Sequence, residues 1–204
     1  MSDMDSSPPK SGHQETDRKM LGSVREVLLE RLVPRRECGE CIACCDVLEI
    51  DQPGLKKPAN VLCPHCTGSG CGIYADRPDV CRAWYCLWRR IDAMPEFTRP
   101  DKIGVMFSIE RQEPARTPFE QLYILARPLN DDLANPRARA AIQMFIDEGT
   151  LPVWLGLGAG KLLIYPERAL AEAIVNPAIA PENLAPQVAT WRRRLQLDNA
   201  AFDE

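Results

Sequence analysis

Nine cysteines, all between positions 38 and 86, constrain this chain more than any other feature of its sequence. They stand at 38, 41, 44, 45, 63, 66, 71, 81 and 86, in a stretch interrupted by Pro53, Gly54, Pro58, Pro64, Gly68, Gly70 and Gly72. Punctuation of that density breaks any long helix or strand, so the stretch reads as loop-like up to about residue 75. A segment with so little apolar material of its own needs another source of order, and bound metal supplies one. Thiols clustered in a reducing compartment point to metal binding or redox chemistry. The competing reading, a disulfide framework, requires an oxidising compartment and leaves one of the nine thiols over. The polar, acid-containing start MSDMDSSPPKSGHQETDRK has no apolar core of a secretory signal, and no apolar run is long enough to span a membrane. A cytoplasmic protein with no membrane span is expected.

The spacing refines the expectation. Cys38-Gly39-Glu40-Cys41-Ile42-Ala43-Cys44-Cys45 places three thiols in C-x2-C-x2-C order, the pattern by which one loop wraps an iron–sulfur cubane. Zinc sites more often draw two separated C-x2-C pairs, and zinc is the alternative metal. Cys63, Cys66, Cys71, Cys81 and Cys86 offer the remote fourth ligand. The neighbours Cys44 and Cys45 would form a cramped ring on one ion, so they are expected to face different surroundings. Cys81 and Cys86 lie roughly 140° apart on an ideal helix of about 3.6 residues per turn, so either the helix breaks between them or they serve different sites. Thiolate centres carry surplus negative charge that backbone N–H groups and nearby cations relieve. Gly39, Gly70 and Gly72 suit close backbone approach, and Arg77 and Arg82 are the candidate cations, with a surface salt bridge as their ordinary alternative. His65 reads as a bystander between thiols. Tyr74, Trp84, Tyr85 and Trp88 read as packing around the site.

At these residues the chain resembles the zinc- or iron-chelating family named for its C-x2-C-x2-C-C motif, a group of mostly uncharacterised bacterial proteins. The resemblance covers about residues 38 to 86. It rests on Cys38, Cys41, Cys44 and Cys45, on Cys63-Pro64, on Cys71 with Ile73, Tyr74, Arg77, Pro78, Cys81 and Arg82, and on Cys86. It implies that Cys38, Cys41, Cys44, Cys45, Cys63, Cys71, Cys81 and Cys86 are metal ligands. Cys66 stands where that family commonly shows an apolar residue, which marks it as an additional thiol. A related cysteine arrangement occurs in flagellin lysine methylases, but no further motif of this chain supports methyl transfer.

The remainder reads as an α+β protein. Residues 1–19 have the composition of a flexible tail. Leu21, Val24, Val27, Leu28 and Leu32 recur at helical spacing and predict a short leading helix that ends before Pro34. A helix is expected from Asp76–Pro78 toward Ile91, with Cys81 on it. Strands are expected at 104–110 and 121–127, and at 153–157 and 161–165 around the Gly158–Gly160 turn, all in antiparallel pairing. A helix over 136–148 should bury Ala140, Ala141, Met144, Phe145 and Ile146, and two more follow at 167–175 and 182–197. The organisation is thus a tail (1–19), a cysteine-rich metal-binding module (20–95) and an α+β region packed against it (96–204).

Charge narrows the function. Lys and Arg number 25 against 29 Asp and Glu, a formal charge of −4, and residues 38–90 balance six basic against six acidic side chains. That lacks the basic footprint of a nucleic-acid binder. The chain carries no phosphate-binding glycine loop and no nucleophile elbow, and it has two histidines to act as bases. Gly156-Leu157-Gly158-Ala159-Gly160 reads as a turn, and Arg192-Arg193-Arg194 as a solvated helix face. Three functions follow: an iron–sulfur protein with a redox or enzyme-associated role, a structural zinc module engaging a partner protein, or metal storage and delivery. Sequence alone does not decide whether it is an enzyme.

Overall fold

The computed structural model describes residues 31–129 and 133–197. The tail and the leading helix expected over 20–33 therefore lie almost wholly outside the described residues. The main element is a four-stranded sheet of β3 (Val105–Glu110), β4 (Tyr123–Pro128), β5 (Val153–Leu157) and β6 (Gly160–Tyr165), in that spatial order. A separate hairpin, β1 (Ile50–Gln52) and β2 (Leu55–Lys57), precedes it.

Antiparallel pairing holds at the two ends of the sheet and fails at its centre. β3 runs against β4 with Phe107 opposite Ala126, and β5 against β6 with Leu157 opposite Gly160, but β4 and β5 are parallel, with Leu125 beside Trp154. The cause is the helix between them, α5 (Pro136–Glu148). A strand–helix–strand connection carries the chain back to the end it left, so the second strand repeats the direction of the first. Local composition marks α5 clearly. The Asn135 side chain accepts from Arg137 N–H, Pro136 takes the first turn, and Gly149 ends the helix at φ +68°. A Cβ at Gly149 would stand 3.0 Å from Tyr165 Oη, so glycine also serves the packing there. The buried stripe is Ala138, Ala141, Ile142 and Phe145, shifted from the expected one; Ala140 is exposed, and Met144 and Ile146 are half-buried.

Alternation along the strands divides the core between the two faces of the sheet. Val105, Phe107, Ile124, Ala126, Val153 and Leu155 pack against α5 and against Leu87, Trp88, Ile91, Met94 and Ile103. Tyr123, Leu125 and Trp154 on the other face pack against Phe119 and against α6 (Arg168–Val175) and α7 (Ala185–Arg194). On that second face, at the β3 edge, Met106 meets Ala43 and Val47 of a short helix, α1 (Ala43–Val47). Both Cys44 and Cys45 are carried by α1, so this contact seats the thiol segment on the sheet.

The segment is more ordered than its composition suggests. Besides α1 and the β1–β2 hairpin, which turns at Pro53-Gly54 with Gly54 at φ +87°, it holds α2 (Asp79–Ala83) and α3 (Leu87–Arg90), and the short α4 (Pro100–Ile103) leads from it into β3. The single helix expected from Asp76 to Ile91 is interrupted at Trp84–Cys86, where Trp84 and Cys86 are extended. Among the described residues no helix is long and apolar enough to cross a membrane.

One ionic group ties the second face together. Thr117 and Glu120 form a capping box around Pro118–Glu120, and the buried Glu120 carboxylate also pairs with Lys161 Nζ at 2.9 Å. Burial raises the Glu120 pKa, but the Lys161 bond and the N–H groups of Arg116 and Thr117 outweigh it and hold the carboxyl below its ordinary 4.5. A depressed acid contributes stability above its unfolded pKa and loses it as pH falls through the folded value. Glu120→Gln is expected to cost about 3 kcal/mol at neutral pH, the scale of breaking a buried pair, with the difference from the parent closing below about pH 4. Denaturant melts across pH 3–7 check this; a pH-independent difference would count against the pair.

Candidate metal centre

The cysteines reach one region from five short pieces of backbone. Cys41 N–H donates to Cys38 C=O at 3.0 Å, closing a turn in which Gly39 adopts φ +54°. Cys45 N–H donates to Ile42 C=O at 2.8 Å as α1 begins, and Cys63 N–H donates to Cys45 C=O at 2.9 Å, clipping the second run of thiols to the first. Cys66 N–H donates to Cys63 C=O at 2.9 Å, and Cys66 then faces Cys71 across a small antiparallel bridge. Cys81 lies on α2, and Cys86 stands at the start of α3.

Seven of the eight expected ligands, Cys38, Cys41, Cys44, Cys45, Cys63, Cys71 and Cys81, line a single cavity of about 310 Å³. Cys86 lies outside that lining but close enough to Cys38 and Cys41 for their charges to act on it. The thiols form two neighbourhoods. One is Cys38, Cys41 and Cys86; the other centres on Cys45, whose titration the Cys44 and Cys66 thiols affect, and on Cys81, which feels Cys63, Cys45 and Cys71. Cys44 and Cys45 both line the cavity but pack in different surroundings, Cys44 against Ala43, Val47 and Met106 and Cys45 against Ile50, Leu55 and Cys63. Among the described residues no group of three or more His, Cys, Asp or Glu side chains is placed to hold a single metal ion.

Deprotonation is costly for these thiols in the absence of a cation. Burial pushes the Cys86 thiol up to about 11 against the backbone N–H bonds from Arg89 and Trp88, and burial also raises Cys41 and Cys81. Cys45 is driven up further, first by the neighbouring Cys44 thiol and then by burial. Each thiolate makes the next harder to form, and a bound cation reverses that balance.

Of the two candidate cations, Arg77 lines the cavity. Its guanidinium lies 4.0 Å over the Tyr74 ring and donates to Tyr85 Oη at 3.2 Å. Arg82 is exposed and does not line the cavity; its Nε donates to Arg77 C=O at 2.7 Å and pairs with Asp79 at 3.9 Å, so it buttresses Arg77. His65 lines the cavity, while Cys66 does not. Trp84 and the largely exposed Tyr74 also line it, whereas Trp88 is buried in the sheet core.

No protein-family model, curated protein or solved structure matches this chain. The reading of the site therefore rests on its own residues.

Two groups at the site were not singled out in the sequence. Lys57 is 3% exposed; its Nζ donates to Asp46 C=O at 2.8 Å and Pro58 C=O at 3.0 Å, beside Cys45, Cys63 and Cys44. Burial lowers its pKa, and the nearby thiols oppose that. The available signal was the alternation Leu55-Lys56-Lys57, which puts Lys57 on the buried face with Leu55. Arg127 comes from β4, far along the chain, and pairs with Glu110 at 3.0 Å. Both Arg127 and Glu49 also line a second cavity of about 670 Å³ on the sheet's second face, walled by Tyr123, Trp154 and Lys161.

Proposed function

We propose that the thiol cradle holds a thiolate-ligated metal centre, an iron–sulfur cluster, in a redox or enzyme-associated role. The observation that carries this reading is the lining of one cavity by seven cysteines drawn from positions 38 to 81. The donor set is soft and sulfur-rich, as iron–sulfur clusters and zinc both prefer. Size favours the cluster. A lone zinc ion needs four donors gathered at about 2.3 Å, and among the described residues no such group stands ready. A cluster brings its own sulfides and presents iron at its corners, so it spans a wider ring of cysteines. When bound, it supplies one-electron chemistry.

Several residues of the chain would serve such a centre. Lys57 and Arg77 set positive charge against the thiolates, and the backbone N–H groups at Arg89 and Trp88 donate to Cys86. The larger cavity adjoining through Glu49 and Arg127 gives space for a small molecule beside the cradle, which a closed structural site does not need. The separate neighbourhood of Cys38, Cys41 and Cys86 supports a second reading, in which zinc occupies part of the thiol set in a structural role.

The test is metal and acid-labile sulfide analysis with a visible spectrum, on protein purified without oxygen and on Cys41→Ser. Iron, sulfide and charge-transfer absorption, all reduced several-fold in the variant, are the expected result. Stoichiometric zinc without sulfide would shift the reading to the structural module, and the absence of both metals would end it.

A further inference from the structure

Cys66 is the thiol for which the proposed centre has no use: it is absent from the cavity wall, yet it stands opposite one of the wall's cysteines. We propose that Cys66 and Cys71 form a reversible disulfide by exchange with a low-molecular-weight disulfide, and that this withdraws Cys71 from the cradle. The pairing stands on the backbone alone, while its consequence for the cradle rests on the thiolate-centre reading.

The two residues are antiparallel bridge partners. Thr67 N–H donates to Gly70 C=O at 2.9 Å, and Gly72 N–H donates to His65 C=O at 2.8 Å. These bonds flank the cysteines and do not join them, which makes Cys66 and Cys71 a non-hydrogen-bonded pair. Side chains at such a pair share one face of the ladder, with Cα atoms about 4.5 Å apart. Disulfides accept Cα separations of about 4.4–6.8 Å, so such a pair lies within their range, at its short end. Gly68, at φ +87°, lets the intervening turn stay tight. Both cysteines are half-buried, within reach of a small disulfide.

The exchange balances within the reagents named. Cys66, as thiolate, attacks one sulfur of oxidised glutathione and expels a glutathione thiolate. Cys71, as thiolate, attacks the Cys66 sulfur of the mixed disulfide and expels the second. Two electrons pass from the cysteine pair to glutathione, and the two thiol protons pass to the released thiolates. Cys45 is the rival partner, because its thiol lies near enough to Cys66 for the two to influence each other. No backbone ladder sets Cys45 across from Cys66 as the bridge sets Cys71.

The full chain, reduced and stripped of metal, would be treated with oxidised glutathione, alkylated and digested with trypsin. The peptide from Lys57 to Arg82 contains Cys63, Cys66, Cys71 and Cys81, because trypsin does not cut the Lys57–Pro58 and Arg77–Pro78 bonds. The expected product has Cys63 and Cys81 alkylated and a Cys66–Cys71 link, and Cys66→Ser should leave Cys71 alkylated. A dominant Cys45–Cys66 link, a link to Cys63 or Cys81, or full alkylation would overturn the pairing. Oxidised parent protein should then take up fewer equivalents of zinc(II) than identically treated Cys66→Ser; equal uptake would overturn the withdrawal. If the reduced protein takes up no zinc(II) or iron, the centre fails, and the peptide map still decides the disulfide.

Discussion

Replacing Arg36 with alanine is expected to cost about 3–5 kcal/mol, among the largest losses any single side chain of this fold would show. Arg36 is 8% exposed, and its guanidinium donates to the carbonyls of Trp88, Ile91, Asp92 and Met94 while lying 5.3 Å from the Trp88 ring centre. Hydrogen bonds to a charged group are worth about 1.5–3 kcal/mol each, and removing one partner leaves buried acceptors unsatisfied. The ion pair with Glu96 at 3.5 Å adds little, because Glu96 is 74% exposed. Lysine should recover only part of the loss, since a compact ammonium cannot match the guanidinium fork over four carbonyls. Equilibrium denaturation of Arg36→Ala and Arg36→Lys measures both effects. A loss below about 1 kcal/mol would mean that water satisfies these carbonyls once the side chain is gone.

If the cradle holds the proposed centre, removing it should loosen one part of the molecule and leave the rest folded. The two clusters of buried residues beneath the thiols are small, Ile50, Leu55 and Cys63 in one and Ala43, Val47 and Met106 in the other, whereas the cluster between the sheet and α5 contains fifteen. Stability is expected to differ accordingly, because few apolar contacts mean a low cost of local opening. A ligand present at a thousand times its dissociation constant contributes about 4 kcal/mol to the form that binds it. Anaerobic chelation should therefore speed amide exchange over residues 41–83 by up to about a thousandfold, with β3 to β6 unchanged. Unchanged exchange over 41–83 would show that the segment holds itself together. A matching rise in the sheet would show that the two parts unfold as one.

Where chemistry and periodicity are local, the sequence sufficed. The cysteines, the four strands of the sheet, α5 with its glycine stop, and the Gly158 turn were all legible within a few residues of where they form. Arg77 could be picked out as a cation near the thiols because it lies four residues before Cys81. Its partner candidate Arg82 is equally near in sequence, and only the direction of its side chain removes it from the cavity.

What required the tertiary structure was every relation between distant segments. Helical spacing cannot reveal that α5 crosses the sheet and makes β4 and β5 parallel, because strand direction depends on where a connection ends. The break at Trp84–Cys86 was one of two outcomes the Cys81–Cys86 spacing allowed, and packing chose it: it lets Leu87 and Trp88 enter the sheet core while Cys81 faces the cavity. Lys57 and Arg127 join the thiols only because α1 packs on Met106 and brings the hairpin and β4 to the same place. The sequence determined which donors the molecule possesses and which elements carry them. Packing decided which donors share a cavity, since residue identity is local and proximity is set by the whole folded chain.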